Sequence, residues 1–179
     1  MKIRTAVCVL ALGLFAGVAQ AHEEIVIPAS VQLELFTKIW SLDRSFPKSE
    51  PIRLAILYQR LYRESFVVKE EMVRAGALAK IEIVLIDLDA AKNDPGRFDR
   101  IDVAYVAPLR AVDISALLAE LRVHRIRTIT AVPEYVTSGV AVGIAVEADR
   151  PVILINLASA HSEGSDFSSQ LLKLARVIR

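Results

Sequence analysis

Hydrophobic and polar positions along this chain fall into two alternating periods. Residues 52–58, "IRLAILY", are apolar almost without a break, and "IEIVLIDL" (81–88), "DVAYVA" (102–107) and "RTITAV" (127–132) repeat the pattern with many β-branched side chains. Runs this short, bounded by polar turns such as "NDPG" at 93–96, predict buried strands. Between them the period lengthens. Residues 61–79 predict a helix with Tyr62, Phe66, Val73 and Ala77 inward. Residues 113–123 predict another, capped by Asp113, with Ile114, Leu117, Leu118 and Leu121 on one face. Strands that alternate with helices imply right-handed βαβ crossovers and a mainly parallel sheet covered on both faces.

The final third changes character. "VAVGIAVEA" (140–148) and "PVILINL" (151–157) are strands joined by only Asp149 and Arg150, a connection that permits antiparallel pairing alone. A short helical piece near 156–161 follows, and Gly164 stops it. The closing stretch "DFSSQLLKLARVIR" predicts a last helix with Ser168 as N-cap and Phe167 stapled to Leu172. Leu171, Leu174, Ala175 and Ile178 form its stripe, and Lys173, Arg176 and Arg179 lie opposite. The expected class is therefore α/β: a single three-layer domain, a mainly parallel sheet flanked by helices, with an antiparallel C-terminal hairpin.

Near the front, "SVQLELFTKIWSL" (30–42) predicts a helix capped by Ser30. Val31, Leu35 and Ile39 form one apolar row, and Leu33, Phe36 and Trp40 a second beside it. So wide a face is either buried under the domain or offered to a partner or second copy, with Leu33, Phe36 and Trp40 the contact residues. "DRSFPKSEP" (43–51) is the one linker-like stretch that follows.

The first 21 residues change the picture most. Lys2 and Arg4 precede an apolar run from Ala6 to Ala19, and Ala19-Gln20-Ala21 is a small-x-small cleavage site. The run is about 14 residues, where a membrane span needs about 20. These are the parts of a secretory signal, so residues 22–179 are expected to form one exported domain, without membrane insertion once the signal is cleaved. Removing Lys2 and Arg4 from 22 basic and 21 acidic residues turns a formal net charge of +1 into about −1. Neither nucleic acid nor an anionic membrane surface is implied by so even a balance. The lone Cys8 leaves with the signal, so the remainder carries no thiol chemistry or disulfide and must be held by packing.

Candidate chemistry is sparse. His22, His124 and His161 show no ligand spacing, so no metal is expected. There is no GxSxG, and "YQRLY" stands after the first strand where a dinucleotide fold would place its glycines; no cofactor or catalytic residue is expected. Asp87 and Asp89 read as polar strand-end and turn residues. In open α/β sheets, however, ligands bind beyond the carboxyl ends of the strands. Tyr58, Arg60, Arg110, Glu134 and Tyr135 fall there and form the candidate ligand-binding set, which supports a solute-binding or sensor domain as the alternative reading.

Three stretches carry a resemblance: "QLELFTKIWSLDR" (32–44), "VPEYVTSGVAVGI" (132–144) and "ILINLASAHSEGSDFSSQLLKLARVI" (153–178). Together they resemble the YfiR family. The most specific part is Asn156-Leu157, Ala160, Gly164, Phe167-Ser168-Ser169 and Leu171 through Ala175. The resemblance implies a non-enzymatic periplasmic α/β protein that docks on and represses an inner-membrane signalling protein. That partner is a diguanylate cyclase under cyclic di-GMP and biofilm control, or a sensor kinase, and a homodimer is possible in such a family. The family's namesake has disulfide-forming cysteines tied to redox control, and this exported chain would have none.

Overall fold

A computed structural model describes residues 27–46, 51–77, 79, 81–92, 94 and 96–178. The signal segment, Cys8, His22, part of the 43–51 linker, Asn93 and Pro95 of the turn, and Arg179 lie outside the described residues.

The elements follow in the order α1 (Ala29–Ser41), β1 (Ile52–Tyr58), α2 (Arg63–Gly76), β2 (Ile81–Asp87), β3 (Val103–Val106), α3 (Ile114–Val123) and β4 (Arg127–Thr130). Then come α4 (Pro133–Thr137), β5 (Val142–Glu147), β6 (Arg150–Asn156), α5 (Leu157–Ser162), α6 (Ser169–Leu174) and β7 (Arg176–Ile178). One seven-stranded sheet has the order β2-β1-β3-β4-β5-β6-β7. The strands from β2 through β5 are parallel, β6 is antiparallel to β5, and β7 runs parallel to β6. The expected α/β architecture, hairpin included, is the observed one.

Strand alternation builds a core on each face. Leu54 and Ile56 of β1 join Val103 and Tyr105 of β3 under α1, α2 and α6, where Leu33, Phe36, Trp40, Met72 and Leu171 meet them. Ala55, Leu57, Ala104 and Val106 point the other way, onto Leu117, Leu118 and Leu121 of α3. Both faces of the central strands are thus dry, which is why they read as unbroken apolar runs.

Local chemistry sets several boundaries. Asp113 caps α3, its carboxylate accepting from Ala116 N at 3.1 Å, and Ser168 caps α6 through Leu171 N at 3.3 Å. After α5, Ser165 N donates to Ala160 O and Gly164 N to His161 O, a Schellman closure. Gly164 has φ 88° there, as the closure requires. In the β5–β6 turn, Ala148 and Asp149 hold φ of 47° and 61°.

Four expectations need correction. Ser30 is not the cap of α1. Pro28 precedes the helix, and its carbonyl accepts from Gln32 N at 3.0 Å. Leu33, Phe36 and Trp40 of α1 do not form a partner surface, because they are 3%, 0% and 4% exposed, sealed against the sheet; of the first row Ile39 is buried and Val31 is exposed. In α2 the buried positions are Ser65, Lys69, Met72 and Gly76; of the expected residues Val73 does pack against the core, while Phe66 and Ala77 are exposed and Tyr62 precedes the helix. The helix backbone lies so close to β2 that a Cβ on Gly76 would come 2.7 Å from the Ile83 side chain. Finally, the closing helix ends at Leu174. Ala175 turns extended, and Val177 pairs with Ile155 in the sheet, so β-ladder pairing overrides the helical spacing.

Candidate functional site

Crossovers from β1 and β3 leave on opposite faces of the sheet, α2 over one and α3 over the other. The carboxyl ends of these neighbouring strands therefore part, and this is the position at which open α/β sheets place ligands. Three loops meet there. Gln59, directly after β1, is only 8% exposed and joins them: its Nε2 donates to Asp89 at 3.1 Å and its Oε1 accepts from Arg110 N at 2.7 Å. Its own N–H donates to Ser65 Oγ at 2.9 Å, tying the loop to α2.

The five candidate residues are placed unevenly around this crevice. Tyr135, in α4, donates its hydroxyl to Leu109 O at 3.2 Å and accepts from Leu109 N at 2.9 Å, so it braces the β3–α3 loop. Arg110 is in that loop with its side chain exposed. Arg60 turns toward β2, where its Nε donates to Asp87 at 3.1 Å. Tyr58 ends β1, and the Lys69 ammonium is 5.3 Å from its ring centroid. Glu134 is exposed in the first turn of α4. Tyr62 is a further member. Its hydroxyl bonds the Glu64 carboxylate, which raises its pKa, and it also feels the charges of Tyr135 and Arg110. Arg110 and Tyr135 thus meet at one mouth through the Leu109 bonds, while Arg60 turns to Asp87. Sequence reading missed Gln59 as the joint; the available signal was a lone amide directly after a buried strand.

A second polar cluster lies at the opposite end of the sheet. Asp43, at the end of α1, accepts from Ser45 N and Oγ and from Asp166 N through Oδ1, and from Arg127 Nε at 3.2 Å through Oδ2. Burial pushes this carboxyl up, but the hydrogen bonds outweigh it and hold it below its ordinary value. Beside it, Glu163 is 1% exposed and accepts from Thr128 N at 2.8 Å and Thr128 Oγ at 2.6 Å. Burial dominates here: despite these bonds and the charges of Arg122 and Arg127, the carboxyl is pushed up to about 8.

Neither cluster pairs a nucleophile with a base, and among the described residues no group of histidine, cysteine and carboxylate side chains could hold a metal ion. No described helix is long and apolar enough to cross a membrane. What the crevice leaves free is the exposed Arg110 side chain, since the hydroxyls of Tyr135 and Tyr62 are taken by Leu109 and Glu64.

A family model described as DUF4154, YfiR/HmsC-like, matches residues 40–176. No curated protein matches significantly. Among solved structures, a conserved domain protein from Vibrio cholerae O1 biovar El Tor superposes with TM-score 0.66 at 14% identity, covering 85% of this chain and 60% of that one. An ABC domain in complex with L-Trp from Streptococcus pneumoniae gives TM-score 0.66 at 14% identity, with coverage of 84% and 62%. A ligand-free, open substrate binding protein with adhesive properties from Clostridium difficile gives 0.63 at 15%, with coverage of 82% and 58%. At these identities the likeness is one of fold, and this chain spans about three-fifths of each of those chains.

Proposed function

This chain belongs to the YfiR/HmsC-like family, and on that premise we propose that it docks on the outward-facing part of an inner-membrane signalling protein and represses it. The family is one of periplasmic regulators rather than catalysts, and the match over residues 40–176 carries the reading. The partner is a diguanylate cyclase, or failing that a sensor kinase. Residues 1–21 direct export and are removed, leaving His22 as the first residue of a single domain. Repression acts by contact, without turnover. Deleting the gene should raise cyclic di-GMP and biofilm. Unchanged levels, with no membrane protein recovered by in vivo crosslinking, would sink the proposal, and N-terminal sequencing of the envelope protein checks the cleavage point.

A second reading is favoured by the exposed Arg110 on the loop that Tyr135 braces at the strand-end mouth, in a fold shared with a substrate binding protein and an L-Trp complex. Here the regulator takes up a small polar solute between the β1 and β3 loops and passes its occupancy to the partner. Arg110 then holds the solute and Tyr135 fixes the loop that carries it, with Glu134 and Tyr58 at the rim and Arg60 supporting from its Asp87 pair. A solute at a hundred times its Kd adds about 2.7 kcal/mol of stability. A thermal-shift screen of small metabolites should show such a gain and lose it in Arg110→Ala; a gain that survives the substitution removes Arg110 from the site.

A further inference from the structure

β2 is an edge strand of seven residues, in unbroken register with β1 from Ile81 to Asp87. Leu88 N donates to Tyr58 O, so alternation turns the even-numbered backbone groups of β2 toward β1 and the odd-numbered ones outward. Of these, Ile81 N is taken by Ala79 O and Asp87 O by Ala91 N. The amides and carbonyls of Ile83 and Leu85 have no partner among the described residues. Natural edge strands are blunted by lysine, proline, bulges or a covering loop. "IEIVLID" contains no proline, lysine or bulge, and Leu85 is 46% exposed on its α2-facing side.

On the other side of the same strand is an open cavity of about 600 Å³. Val84 and Ile86 form its apolar wall, and Asp94 and Asp99 its acidic one, with Asp87 at the end of the strand paired to Arg60. The one guanidinium in its lining, Arg97, is committed to Glu120 and to Ala91 O. A strand laid along this edge would thus meet an apolar surface at every second residue and a negative hollow at the residues between.

We propose that the free edge of β2 accepts an extended strand of a partner protein, apolar where it passes Leu85 and basic where it passes the cavity. Backbone hydrogen bonds to Ile83 and Leu85 supply affinity, and the two unlike faces set direction and choice. A second copy of this chain fits less well, because β2 carries Glu82 and Asp87 but no basic residue for the hollow. The proposal deepens the docking reading, and rests on it only for which protein is met in the cell.

The probe is a labelled heptapeptide of alternating lysine and valine, with lysine at both ends, followed by fluorescence anisotropy against the intact exported protein. Saturable binding is expected, at least about tenfold weaker for the same peptide with glutamate for lysine, or with alternate amides N-methylated. Leu85→Pro removes one outward N–H and leaves the β1 ladder alone, and Leu85→Lys blunts the edge without proline; both should weaken binding by at least about tenfold. Val123→Lys, at an exposed apolar site at the end of α3, should leave it unchanged. Absence of saturable binding, equal affinity for the glutamate peptide, or indifference to both Leu85 variants overturns the proposal. Peptide-free self-association abolished by Leu85→Lys also overturns it, giving the edge to a second copy. Peptide binding with an unaltered signalling phenotype on gene deletion would instead leave this surface standing and remove the cellular role.

Discussion

The two ends of the sheet are both polar, yet they are built on opposite terms. At the amino-terminal end of β4, Asp43, Arg127, Thr128 and Glu163 are withdrawn from water, and nearly every donor meets an acceptor within the protein. At the carboxyl ends of β1 and β3, Gln59 is buried with its partner Ser65, and Arg60, Arg110 and Glu134 reach solvent. A buried cluster fixes geometry because removing one partner strands the others without water. An exposed set contributes little to stability and is free to exchange partners. The difference marks the buried cluster as a clasp and leaves the exposed upper crevice as the place the solute-binding proposal uses.

The sharpest way to break that contrast is at Asp43. Replacing Asp43 by alanine removes the carboxylate from Arg127 Nε and Asp166 N, leaving Arg127 only its bonds to Ser45, and should cost about 3 kcal/mol, a fall of several degrees in Tm. Because its carboxyl is held below the usual range, its contribution is present above pH 4 and is lost as pH falls through the native value; denaturant titrations in acid should show this. Glu163 has the opposite sign. With a native pKa of about 8 against 4.5 unfolded, its contribution is full below pH 4.5 and drains away as pH rises to about 8. Glu163→Gln keeps an acceptor for Thr128 N and turns its amide nitrogen into a donor to Thr128 Oγ; it should gain on the order of 2 kcal/mol over the parent at pH 9, and nothing near pH 4. A variant that tracks the parent across that range would show that burial does not govern this carboxyl.

Smaller effects are expected toward the upper end. Gly143→Ala places a Cβ 2.3 Å from Val136, so α4, which carries Tyr135, must shift. The expected cost is about 2 kcal/mol by urea denaturation. Gln59→Ala removes the joint between three loops and should cost about 1 kcal/mol, with faster amide exchange at Arg110. Arg60→Ala should change stability by less than about 0.5 kcal/mol, since its guanidinium is 63% exposed. A larger loss at Arg60 than at Asp43 would invert the comparison.

The clasp could not be read from the sequence, because its members are scattered across 43, 127, 128, 163 and 166 and no local period links them. The strands were legible wherever apolar runs stood between turns, and β1 begins and ends where its run does. The five crevice residues were placed by the topology of parallel sheets, but which of them converge depends on loops. Gln59 and Tyr135 spend their polar atoms on those loops, a choice that spacing does not encode. The tail misled for a plainer reason. "LLKLARVI" suits a helix and a strand almost equally, and only the open edge of β6 decides between them.

The contact between α1 and the C-terminal stretch has a consequence for how the polypeptide emerges. Strands β1 to β5 can add to one another as they are made, but α1 comes first and waits for the very last segment. Asp43 bridges to Phe167, Ser168 N donates to Leu42 O, and Leu171 completes the cover over Phe36 and Trp40. Trp40 is the only tryptophan, so its fluorescence is a built-in clock for the moment at which the two ends of the translated sequence close on each other.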